Sequence, residues 1–139
     1  MLTISAEVYS AMIAQAYDHY PEEMCGLLAG GDDQAPGRPA RYYPCRNTTR
    51  SGRVFELHPL DYQHAEDDAE DHGLALSAVV HSHTHTEPYP SPTDVGVAGQ
   101  LGPLLAWIIV GLKRDAPEVR AYRIAEGEVT EIELRIDGG

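Results

Sequence analysis

Two histidines separated by one residue, His81 and His83, close an apolar run containing Val79 and Val80, and Ser91 and Asp94 follow after a proline-rich turn. Alternate residues of a strand point to one face, so a strand ending here aims both imidazoles at one point. Asp94 stands at a plausible helix start, and the turn before it can swing its carboxylate back toward the histidines. Imidazole nitrogen and carboxylate oxygen suit zinc, and three protein ligands leave a fourth tetrahedral position for water, as in a catalytic site. Structural zinc is commonly closed by four thiolates, and this chain has only Cys25 and Cys45. A lone His-x-His is more often a polar loop that merely hydrogen-bonds. Here the Ser-x-x-Asp downstream and a carboxylate upstream complete a pattern that a polar loop does not explain.

The upstream carboxylate lies in Pro21-Glu22-Glu23-Met24-Cys25-Gly26-Leu27-Leu28-Ala29-Gly30. Glu-x-Cys-Gly near the start, then His-x-His, seven residues, Ser, two residues and Asp, resembles the signature of the JAMM (MPN-plus) metalloproteases, and the likeness spans nearly the whole chain. The resemblance implies Glu23 as general base, His81, His83 and Asp94 as zinc ligands, and Ser91 as the hydroxyl that supports the oxyanion. Glu22 is the rival for Glu23, but the family glutamate stands two residues before the Cys-Gly position. On a strand beginning near Met24 only one of two neighbours can face the metal. The fold implied is a single α/β domain over residues 1–137, a curved mixed β-sheet flanked by helices in a cytidine-deaminase-like architecture. The reaction implied is zinc-dependent amide hydrolysis.

Eukaryotic family members carry inserted segments that grip ubiquitin, and this chain has no room for them. It is similar instead to the short bacterial branch, whose members act at the C-terminal Gly-Gly tails of ubiquitin-like sulfur-carrier proteins. His-Ser-His-Thr, Glu-x-Tyr-Pro-Ser and the stretch Arg120-Ala121-Tyr122-Arg123-Ile124 resemble the branch members that free cysteine from such a tail. The alternatives are a general isopeptidase or tail-processing peptidase and a non-catalytic MPN scaffold. A deaminase would need a Cys-x-x-Cys half-site, which is absent, since the only cysteines are Cys25 and Cys45. Gly138-Gly139 is read as a flexible tail rather than as a carrier's own end.

The elements around these residues follow from periodicity. Ser5 caps a helix in which Val8, Met12, Ala16 and Tyr20 repeat at helical spacing, and Pro21 closes it. Met24 to Ala29 reads as a buried strand, Gly30 to Asp33 as a turn, and Asp32 to Pro39 as a surface connection. Arg41 to Arg46 and Arg53 to Leu57 are expected as strands, and Pro59 opens a helix that runs to Asp71 before Gly73. Its acidic face, Glu66 to Asp71, is read as solvated. Leu74 to Val80 is a strand leading into the site, and Thr93 to Gly99 a short helix. Leu104 to Val110, Val119 to Ile124 and Val129 to Ile136 complete the strands, the last as one edge.

With 22 acidic against 10 basic residues, the net charge of −12 disfavours nucleic acid and anionic membranes as partners. No apolar segment approaches the roughly 20 residues of a membrane span, and no secretory signal is visible, so the cytoplasm is the expected location. Cys25 is read as a small core residue and a Cys25–Cys45 disulfide as the lesser expectation. His85 is expected on the wall of the pocket rather than on the metal, with Tyr89 within reach of the metal cleft. Arg46, Asn47, Arg50 and Arg53 form the one basic concentration, equally fit to receive a carboxylate or to keep a loop soluble.

Overall fold

A computed structural model describes residues 1–32, 39–49, 51–52, 54–102 and 105–137. Strand β1 (Leu2–Ser5) buries Leu2 and Ile4 and leads into α1 (Ala6–His19), whose N-terminus is capped by Ser5 accepting from Val8 N at 3.1 Å. α1 buries Met12 and Ala16, as its spacing predicts, whereas Tyr20 falls just beyond its end and is exposed. Strands β2 (Cys25–Ala29) and β3 (Arg41–Cys45), helix α2 (Pro59–Asp71), strand β4 (Leu76–His83) and helix α3 (Pro92–Leu101) follow. The chain then forms β5 (Ala106–Gly111), β6 (Glu118–Ala125), β7 (Glu128–Ile132) and β8 (Leu134–Asp137).

Six strands form one mixed sheet in the order β3-β2-β4-β5-β6-β7, in which only β4 and β5 run parallel. Strands β2 and β5 are apolar throughout because both faces are covered. On one face α1 packs over Met24, Leu28, Val80, Ile108 and Val110. On the other, Ala65 of α2 and Ala98 of α3 pack with Leu27, Val79, Trp107 and Ile109. Side-chain alternation along β4 therefore carries Val79, His81 and His83 onto the α2/α3 face. Gly26, in the middle of β2, lets the ring of Tyr42 lie against the backbone, since a Cβ there would stand 2.7 Å from the ring's Cζ.

Three expectations are corrected. The expected strand over Arg53 to Leu57 is a loop over its described part, with one bridge, Asn47 to Leu57. Asn47 replaces ladder bonds there: Nδ2 donates to Val54 O at 3.3 Å and Oδ1 accepts from Glu56 N at 3.0 Å. The run from Val129 to Ile136 is not one edge strand. It divides at Glu133, so that β7 borders the main sheet while β8 pairs in parallel with β1 as a separate two-stranded sheet. Strand β4 starts at Leu76 rather than Leu74, and it runs through His81 and His83 as their alternation requires. Residues 33–38 of the expected surface connection, Arg50, Arg53 and Gly138-Gly139 lie outside the described residues. Among the described residues no helix is long and apolar enough to cross a membrane, and Cys25 and Cys45 are free thiols, both buried.

Candidate metal centre

His81 and His83 occupy the end of β4, and Asp94 occupies the first turn of α3, which packs over the same face of the sheet. Ser91 sets the angle. Its hydroxyl oxygen accepts from Asp94 N at 3.1 Å, while Asp94 Oδ2 accepts from Ser91 N at 2.9 Å, a reciprocal capping box with Pro92 as the first helical residue. The carboxylate is thereby turned toward the sheet. His81 Nε2, His83 Nε2 and Asp94 Oδ2 then form a triangle with each side 3.1 Å. All three residues are buried.

With both imidazoles neutral, as metal ligands must be, protons do not satisfy this triangle. The Glu87 carbonyl accepts from His83 Nδ1 at 2.8 Å, which leaves a lone pair on neutral His83 Nε2. That lone pair faces a carboxylate oxygen and a second imidazole nitrogen. A cation at the centre engages all three at once, and tetrahedral ligands about 2.0 Å from zinc stand about 3.3 Å apart, close to the observed sides. The donor set therefore fits a metal ion, with second-sphere support of the usual kind for His83. His81 is held differently, by apolar contact. Phe55 stacks on its ring at 4.5 Å and Trp107 meets it edge-on at 5.7 Å.

The local electrostatics follow from burial and from this convergence. Burial lowers the His81 pKa despite its carboxylate partner. Burial also pulls on His83, but Asp94, the Glu87 carbonyl and Glu23 reverse it and leave that imidazole raised. Asp94 is desolvated, yet hydrogen bonds from both histidines hold it well below the usual carboxylate range.

Glu23 lies just before β2, with its amide donating to Ser51 O at 2.7 Å and its carbonyl accepting from Asn47 Nδ2 at 2.9 Å. It is 3% exposed, and among the described residues its Oε1 has no hydrogen-bond partner. Burial pushes its carboxyl up to about 7, opposed by His83 and assisted by Asp94. Glu22, its rival in sequence, is half-buried. A cleft of about 950 Å3 is lined by Glu23, His83 and Ser91, with Glu22, Gly52 and His85 among its other lining residues. His85 is thus on the pocket wall, held by Thr84 Oγ1 at 2.8 Å and outside the triangle.

Two sequence expectations need correction here. Tyr89 does not line this cleft: it lines a neighbouring cavity of about 410 Å3 with Pro88, Arg114 and Tyr122, its ring turned edge-on to Tyr122. Arg46 is not a free cation of the site but is paired with Asp61, which accepts from its guanidinium at 2.9 and 3.0 Å and from its amide at 2.8 Å. Phe55, Glu87 and Tyr122 were not legible as parts of the site, and the alternation of Arg53 to Leu57 carried the one signal that Phe55 is buried.

The mixed sheet and α3 thus bring two imidazoles and a carboxylate together beside a cleft that His83 reaches, and the comparisons with known proteins assign this fold to the JAB/MPN domains. The chain belongs to the JAB family: the model described as prokaryotic homologs of the JAB domain, Prok-JAB, matches residues 5–125. It is 37% identical over 135 residues to the CysO-cysteine peptidase of Mycobacterium tuberculosis (strain ATCC 25618 / H37Rv), covering 94% of this chain and 88% of that protein. The solution structure of a protein from Desulfitobacterium hafniense superposes with a TM-score of 0.86 at 29% identity, covering all of this chain and 94% of the other. A JAB1/MPN domain protein from Archaeoglobus fulgidus shares the fold at a TM-score of 0.59 and 23% identity, over 99% of this chain and 97% of that one. The chain is accordingly a hydrolase of the JAMM type.

Proposed function

We propose that this chain, acting as one catalytic domain over residues 1–137, is a zinc-dependent hydrolase of the amide bond that follows the C-terminal Gly-Gly of a ubiquitin-like sulfur-carrier protein, releasing cysteine. The observation that carries the chemistry is the 3.1 Å triangle of His81, His83 and Asp94 beside a buried carboxylate. The name of the 37% identical relative supports the substrate. Unpaired Cys25 and Cys45 fit a reducing compartment, and we place the reaction in the cytoplasm.

His81 Nε2, His83 Nε2 and Asp94 Oδ2 would hold the zinc. When bound, it supplies a water of near-neutral pKa and a Lewis acid for the scissile carbonyl. Glu23 accepts the proton of the attacking water and returns it to the leaving amine, a task suited to a carboxyl whose pKa burial has brought to about 7. Ser91 Oγ accepts from Asp94 N in the cap, so its own hydrogen remains to be donated to the developing oxyanion. The glycine tail approaches the cleft wall closely because it carries no side chains.

The experiment is mass spectrometry of a Gly-Gly-terminated sulfur carrier extended by one cysteine, before and after incubation with the zinc-loaded enzyme. Loss of one cysteine residue's mass is expected, and an untouched adduct contradicts the reading. The size of the cleft favours a second reading, a trimming peptidase for longer tails. That reading replaces the first if tails of several residues are removed while the single cysteine is not.

A further inference from the structure

The carbonyl that orients His83 belongs to a peptide whose other contacts come from β5, β6 and the connection between them. Glu87 O accepts from His83 Nδ1 and from Tyr89 N, both at 2.8 Å. The next carbonyl, that of Pro88, accepts from the hydroxyl of Tyr122 on β6 at 2.5 Å. Pro88 is buried and rests on Gly111 of β5, where a Cβ would stand 3.0 Å from the proline ring. The Glu87 carboxylate turns outward to the β5–β6 connection, where Arg114 donates to both of its oxygens at 2.6 and 2.7 Å. The ring of Pro88 fixes φ between the two carbonyls, so restraint on one is passed to the other with little slack.

We propose that Tyr122, assisted by Arg114, is a positioning residue for the metal centre, acting through the Glu87–Pro88 peptide to hold His83 in its Nδ1–H tautomer with Nε2 aimed at the ligand triangle. This rests on the metal reading given above. Tyr122 touches neither ligand nor substrate. Its hydroxyl is nevertheless buried and committed to the one backbone segment that sets a ligand's tautomer, and second-sphere partners of ligating histidines govern metal affinity.

Zinc affinity by chelator competition, and the visible absorption of the cobalt-substituted protein, test this in Tyr122→Phe. The variant should bind zinc about tenfold more weakly, the lower end of what losing an outer partner costs, with an altered cobalt spectrum. Tyr43→Phe is the control, since that hydroxyl donates to Asp68 on α2 and should leave both readouts unchanged. A Tyr122→Phe protein that melts earlier but keeps wild-type affinity and spectrum overturns the proposal. Should Tyr122→Phe fail to fold, Arg114→Ala, which alters only an exposed side chain, carries the same test: unchanged affinity and spectrum overturn it. A wild-type protein that binds no zinc instead overturns the metal reading itself.

Discussion

Ser91 and Asp94 hold each other through two reciprocal hydrogen bonds, and the Asp94 oxygen that closes the cap is the same Oδ2 that stands 3.1 Å from both histidines. One local helix-start motif therefore aims a metal ligand. This explains why Ser and Asp are needed three residues apart. The cap satisfies orphan amides of α3, and its geometry leaves the carboxylate no other direction than the sheet.

Ser91→Ala removes the cap acceptor and the hydroxyl together. Loss of the cap is expected to lower unfolding stability by about 1 kcal/mol. Loss of an oxyanion donor is expected to lower kcat on the order of 10²-fold. Ser91→Thr retains both functions. Denaturant unfolding and steady-state kinetics on the three proteins separate the two effects, and a loss of stability without a loss of kcat leaves Ser91 as a cap alone.

Glu23→Gln should keep zinc and the fold while abolishing hydrolysis, and Glu22→Gln should remain active. The carboxyl's raised pKa gives a second, metal-free readout. Folding favours the protonated form of Glu23, so its destabilising effect is absent below the ordinary value near 4.5 and grows as pH rises through about 7. In metal-stripped protein the Gln variant should therefore melt above wild type at pH 8, with the difference vanishing toward pH 4.5. The opposite trend contradicts the burial of Glu23.

Gly26→Ala should be strongly destabilising although the site is untouched, because the new Cβ meets the hydroxyl and ring of Tyr42, whose hydroxyl is tied to Gln15 Oε1. A loss of about 1–3 kcal/mol is expected by chemical denaturation, as for other overpacked core positions. Coupling with Tyr42→Leu would relieve it. Equal losses in the presence and absence of Tyr42 would locate the cost elsewhere.

Much of this was legible in the sequence because it is local. The alternation of His81 and His83, the Ser91–Asp94 spacing and the caps at Ser5 and Ser91 are decided within a few residues. The choice of Glu23 over Glu22 rested on the resemblance to the family, and the deep burial of Glu23 agrees with it. What was missed depends on pairing between distant segments. Leu2–Ser5 becomes a strand only because Leu134–Asp137 lies beside it, and that partnership also divides β7 from β8. Asn47 diverts Val54–Glu56 from a ladder by side-chain hydrogen bonds that no periodicity records. Tyr89 was expected at the metal cleft because it lies between the ligands in sequence, but the proline on its N-terminal side and the Tyr122 ring carry it into the next cavity.

Metal dependence is tested most directly by titrating zinc into metal-stripped enzyme while following cleavage of the carrier-Gly-Gly-cysteine adduct. Activity should rise from nothing and saturate at one zinc per chain, with Glu23→Gln taking up the same equivalent in silence and His81→Ala, His83→Ala and Asp94→Ala taking up none. Full cleavage by the stripped enzyme, or undiminished zinc binding in the three ligand variants, would contradict the assignment of His81, His83 and Asp94 as the catalytic metal centre.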